Sequence, residues 1–398
     1  MSNSSARVRA WIGPAILSYG YRPFFLLAGL WAAVAMVLWV MMLSGRMNIS
    51  TAFTPVDWHA HEFLFGYLSA VLAGFLLTAV PNWTGRLPIT GWRLAGLAAI
   101  WLAGRGAVAV SAHFPPLFTA FADMVFLIVF AAAIAREIIA GKNWRNLPVL
   151  ALLGLFIAAN GVFHWHAAQG DTAASGPGLR MGLAVAVLFI SFIGGRVVPS
   201  FTRNWLVRQG SSARPAPIGR FDQLVLAASL IALIFWVVLP LHPFTTGLCL
   251  LAGVAGFVRL ARWSGWHTGP EPLVWVLHVG YACVPLGFLA VGAARFLPDL
   301  AITAAAQHIW MVGAVGLMTL AVMTRASLGH AGRPLHATGA VTTLYLTLIS
   351  AVIARFALAF FPGSDWLLYY AAAGWIATFS GFAVLYWPIF MHKPKSRK

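Results

Sequence analysis

Charge is what this sequence has least of. Among 398 residues, 26 are Lys or Arg and only 9 are Asp or Glu, so 9% carry a formal charge. An ordinary soluble domain carries about 25%. Apolar residues make up 61% of the chain, and the mean hydropathy is +0.84. Too little polar surface remains to cover a globule of this size in water, which excludes a cytosolic enzyme. Cysteine is nearly missing as well. Cys249 and Cys283 stand far apart inside apolar segments, which excludes a CxxC redox site, a zinc–thiolate cluster and a disulfide scaffold. The net charge of +17 would suggest nucleic acid in a soluble chain. Here no basic patch alternates with surface aromatics, so nucleic acid is excluded as a partner.

What the chain does have is long apolar runs. Read as stretches of about 20 residues, they predict twelve membrane-spanning helices. The first six are Phe24–Leu43, His59–Val80, Arg93–Ala112, Leu117–Ile139, Leu147–Ala168 and Met181–Pro199. The second six are Asp222–Leu241, Pro243–Arg262, Pro272–Ala293, Ala304–Met323, Gly339–Phe360 and Trp366–Pro388. Twelve such spans use roughly 240 residues and leave no room for a soluble domain. The fold class is therefore all-α: one polytopic integral membrane domain over 1–398, with the lipid bilayer as its solvent.

Orientation follows from the basic residues. Arg86, Arg136, Lys142, Arg208, Arg262 and Arg333 fall in alternate loops, and Lys393, Lys395, Arg397 and Lys398 in the tail. The other loops hold little beyond Arg46, Arg180 and Arg295. Positive loops stay inside, so both termini are expected on the cytoplasmic side. Met1–Trp11 carries Arg7 and Arg9 without a small-residue cleavage site, and reads as a cytoplasmic start.

A repeat is visible in the helix ends. The second span ends in Val80-Pro81-Asn82-Trp83-Thr84, and the sixth in Val198-Pro199-Ser200-Phe201-Thr202-Arg203, 118 residues later. The tenth ends in Val322-Met323-Thr324-Arg325, about 122 residues further. In a second register, His61 precedes Gly66 by five and Arg86 by 25, as His308 precedes Gly313 and Arg333. Three four-helix units in the same orientation are expected, at about 20–140, 141–262 and 263–392, arranged around an axis along the membrane normal.

Ionisable groups inside spans are costly and mark function. The densest cluster opens the second span, Asp57-Trp58-His59-Ala60-His61-Glu62. A second His-x-His pair, His164-Trp165-His166, closes the fifth, with Asn160 one turn below His164. Residues two apart on a helix point about 200° from each other, so such a pair cannot face one metal unless the turn is unwound, and on a regular helix it can instead serve two centres, one on each face. In the inferred topology His59, His61, His164, His166 and His308 all lie in the outer half of the membrane. Neutral imidazole suits haem iron and copper, and Glu62 would orient a ligand or carry protons. His278 is a lone histidine nearer the inner side and ranks next as a cofactor ligand. His113 and His242 read as loop residues; His267, His330, His336 and His392 fall on the cytoplasmic side and are not expected to ligate. Arg105 and Asp123 lie at nearly the same depth on consecutive helices, and an ion pair of structural role is expected between them.

The stretch WHAHEFLFGYLSAVLAGFLLTAVPNWTGRLPITGWRLAGLAAIWLAGR from Trp58 to Arg105 carries a family likeness. With GYRPFFLLAG at 20–29 and TRASLGHAGRPL at 324–335, it resembles the NnrS family over essentially the whole chain. That resemblance implies a bacterial inner-membrane protein with haem and copper, linked to nitric oxide and to protection from nitrosative stress. The haem would be of the b type, because the CxxCH attachment pattern is absent. The metal role passes to His59, His61, His164, His166 and His308. Reduction of nitric oxide to nitrous oxide would need protons, two adjacent metal sites, and electrons from quinol or a separate donor. A transporter of a metal or metal–nitrosyl species is the alternative, and twelve spans with repeats suit it. Against it, the polar residues cluster towards one face, with no polar path to the other. A haem-based sensor would need an output module that the chain lacks.

Overall fold

The computed structural model describes residues 11–297, 299–361 and 363–392. The expected cytoplasmic start (residues 1–10) and the basic tail (393–398) lie outside the described residues. Among the described residues every regular element is a helix. The long ones are α1 Tyr21–Leu43, α2 Pro55–Thr84, α3 Trp92–Ala109, α4 Pro116–Ala140, α5 Leu147–Ala168 and α6 Pro177–Arg208. They continue with α7 Arg220–Val238, α8 Pro243–Ala261, α9 Pro272–Ala293, α10 Ala301–His330, α11 Gly339–Ala357 and α12 Trp366–Met391. All twelve expected spans are present as helices. Eleven are long and apolar enough to cross a membrane. The exception, α3, carries Arg93 and Arg105 within 18 residues, and those two guanidinium groups lower its hydropathy. The chain is a polytopic, all-helical membrane protein.

By packing, the chain divides into two compact units. Among the described residues the first comprises 11–182, 326–333 and 379–392, the second 183–325 and 334–378. Within the first, α1 packs on α2, α3 on α4, and α4 on both α2 and α5. Within the second, α7, α8, α9, α10 and α11 pack in sequence order, each on the next. This partition by packing differs from the partition by sequence recurrence into three units.

The helices differ sharply in how much of them is hidden. Of the apolar window of α2, 89% is buried, and of α10, 78%, against 33% for α4, α7 and α11. A helix that is apolar all round belongs inside; the others turn one side to lipid. Three helices widen to π geometry in mid-course: α2 at Glu62–Tyr67, α6 at Ile190–Gly194 and α10 at Ile309–Leu317. They are the three whose ends carry the recurring signatures. Each π turn adds a residue to the turn and re-aims the side chains before it, and such turns concentrate at functional sites.

Candidate metal centre

The start of α2 is fixed locally. Thr54 caps the helix by accepting from Asp57 N at 3.1 Å, and Pro55 takes the first helical position. Asp57 is consumed by this turn: its Oδ2 accepts from Thr54 Oγ1 at 2.6 Å and its Oδ1 from Ala174 N at 2.7 Å. The cap fixes the register of the short α-helical stretch that ends in His61, and Glu62 opens the π segment that follows. His61 and Glu62 are both fully buried, and His61 Nδ1 lies 3.0 Å from Glu62 Oε1.

Three further helices complete the site. Gly104 of α3 sits against the backbone of Asp123 in α4, where an added Cβ would meet Asp123 Cα at 3.2 Å. That close approach brings Arg105 onto Asp123. Arg105 donates through Nη2 to Asp123 Oδ1 and through Nη1 to Glu62 Oε1 at 2.6 Å. On α5, Asn160 and His164 are four apart and share a face. Asn160 Nδ2 donates to Asp123 Oδ2 at 2.7 Å, and His164 Nε2 lies 3.0 Å from the same oxygen. His61 Nε2 approaches that oxygen too, at 3.2 Å, with Asn160 Oδ1 at 3.1 Å. Asp123 Oδ2 is thus the hub of the site. From α1, Trp31 Nε1 donates to Glu62 Oε2 at 2.8 Å. Phe53, Phe65 and Phe163 wall His61, their ring centres 5.3–5.5 Å away.

Gly66 is required here. A Cβ on it would stand 2.7 Å from Glu62 Oε2, 2.8 Å from Arg105 Nη1 and 3.1 Å from Trp31 Nε1. The charged cluster occupies the space that a side chain would fill. Two carboxylates face one guanidinium, so with neutral imidazoles one negative charge stays uncompensated in a region sealed from water. Such a charge is costly unless a cation joins it.

The donor chemistry fits a transition-metal ion. Among the described residues, one group of three or more His, Cys, Asp or Glu converges, namely His61, Asp123 and His164, with ligand atoms all within 4.8 Å of one another. An ion about 2.0–2.1 Å from each ligand would separate neighbouring ligands by about 3 Å. Two imidazoles and one carboxylate suit copper, iron or zinc. Glu62 accepting from His61 Nδ1 is the outer partner that keeps the proton there and leaves the lone pair on Nε2, the nitrogen that would ligate.

The other predicted residues lie elsewhere. His59 faces away from His61, as the two-residue spacing requires, and stacks on Trp39 with ring centres 4.2 Å apart. His166 is half-buried, with Nδ1 2.9 Å from Asp171 Oδ2. His308 and His278 belong to the second unit. His308 is half-buried, its Nδ1 2.7 Å from the carbonyl of Ala304. His278 is buried, its Nε2 2.8 Å from Thr202 Oγ1. The Arg105–Asp123 pair forms as expected, but as part of the histidine cluster rather than apart from it. The signal for that was available: Asp123, Asn160 and His164 sit at matching depths on consecutive helices. Nothing in the sequence marked Trp31.

No curated protein matches the chain at a significant level. The model of the family described as NnrS protein matches residues 15–393. An all-helical membrane chain with a buried His–Asp–His group, matched over nearly its whole length in this way, belongs to the NnrS family.

Proposed function

We propose that this protein carries haem and copper in the bacterial inner membrane, binds or metabolises nitric oxide, and thereby protects against nitrosative stress. Family membership supports the reading, and one observation carries it: His61 Nε2 and His164 Nε2 meet Asp123 Oδ2 at 3.2 and 3.0 Å in a buried region. In this reading His61, His164 and Asp123 hold copper. Glu62 orients His61 through Nδ1 and is the carboxylate on which a proton would be held. His308 is the proposed haem ligand. Its Nδ1 against the Ala304 carbonyl selects the tautomer with the lone pair on Nε2, as in ligating histidines generally. Bound iron or copper would supply a site that coordinates nitric oxide. Electrons for any turnover would come from quinol or a separate donor. Burial of His61, Glu62 and Asp123 supports a resident site over a transport path. The π turns shared by α2, α6 and α10 support the three-repeat arrangement, and the loop charges support cytoplasmic termini.

The test is to purify the full chain in detergent with His61→Ala, His164→Ala and His308→Ala. Copper should fall in the first two and haem in the third, each with an altered nitric oxide difference spectrum. Unchanged metal content in all three, with wild-type spectra, would overturn the assignment.

A further inference from the structure

We propose that Arg105 makes the centre selective for a monovalent ion, cuprous copper, over divalent ions. This inference rests on the copper reading of the same residues and adds what sets the ion's charge. The ligands alone do not: imidazole accepts copper, zinc, iron and nickel.

The charge count comes from the contacts. Arg105 binds both carboxylates, Glu62 through Nη1 at 2.6 Å and Asp123 through Nη2. Side-chain exposure is 4% for Arg105, 0% for Glu62 and 1% for Asp123, so water does not screen the group. Ligating imidazoles are neutral. Two carboxylates and one guanidinium then sum to one negative charge, which a monovalent ion cancels. A divalent ion leaves a positive charge among Phe53, Phe65 and Phe163. Without Arg105 the same residues would carry two negative charges and match a divalent ion.

Arg105 also restricts the geometry. It occupies Asp123 Oδ1 and leaves Oδ2 as the oxygen turned to His61, His164 and Asn160. A carboxylate held to one oxygen is a poor partner for calcium or magnesium, which take six or more oxygen ligands. One extra unit of charge about 6 Å from a guanidinium, at an effective dielectric of about 20, changes relative affinity roughly a hundredfold.

The test is competition between Cu(I) and Co(II) on the purified full chain under reducing conditions, with Co(II) read by its visible absorption. Wild type should prefer Cu(I). Arg105→Gln should shift the ratio roughly a hundredfold towards Co(II), and Arg105→Lys, which keeps the charge, should stay within a few-fold of wild type. Should Arg105→Gln fail to fold, Glu62→Gln decides, because removing a negative charge must shift the ratio tenfold or more the other way. An unchanged ratio in Arg105→Gln or Glu62→Gln, or a Lys variant that behaves like Gln, overturns the proposal. The copper reading fails separately, if His61→Ala and His164→Ala both keep wild-type copper.

Discussion

Replacing Arg105 with Leu removes the cation that two buried carboxylates share, and the structure makes this worse than removing either carboxylate. Arg105 donates to Glu62 Oε1 at 2.6 Å and also to Asp123 Oδ1, with all three side chains no more than 4% exposed. Breaking one buried pair from one side costs about 3–5 kcal/mol, because the remaining charge is stranded. Arg105→Leu strands two, which places its cost at the top of that range, about 5 kcal/mol. Asp123→Leu is different. Arg105 keeps Glu62, so no charge is left alone; what is lost is the acceptor of Asn160 Nδ2 and the oxygen that His61 and His164 approach. Unsatisfied buried donors cost about 1–3 kcal/mol each, which puts Asp123→Leu near 3 kcal/mol. Apparent melting temperatures in detergent, followed by tryptophan fluorescence, should therefore rank wild type above Asp123→Leu and Asp123→Leu above Arg105→Leu. Adding Glu62→Gln to Arg105→Leu should recover part of the loss by removing one stranded charge. Asp123→Leu melting at or below Arg105→Leu, or both single variants melting with wild type, would refute this ranking.

Two other outcomes follow from the same contacts. Gly66→Ala inserts a methyl group 2.7 Å from Glu62 Oε2 and 2.8 Å from Arg105 Nη1; overpacking of this kind costs about 1–3 kcal/mol, and copper content should drop with the melting temperature. A variant with wild-type copper and stability would show that the π segment yields freely. His166→Ala should change neither, because its pair with Asp171 is 31% and 59% exposed and such pairs are worth within about 0.5 kcal/mol. Copper loss in that variant would bring His166 into the centre.

The sequence by itself determined the spans, because lipid demands that each run be apolar and about 20 residues long, and that demand is written residue by residue. The opposed directions of His59 and His61 were legible for a similar reason, since helix geometry alone puts residues two apart on different sides. The Arg105–Asp123 pair could be counted out from helix ends, as depth is a one-dimensional quantity. Which histidines meet was not legible. Five share a depth in the inferred topology, but depth does not give the rotation of each helix about its axis. Tertiary structure decided that His61 and His164 turn to one oxygen of Asp123, while His166 turns to Asp171 and His59 to Trp39. It decided the roles of Gly66 and Trp31 as well. Both depend on α1, α2 and α3 closing on the π turn at Glu62–Tyr67, an approach between helices that the sequence of any one of them does not specify.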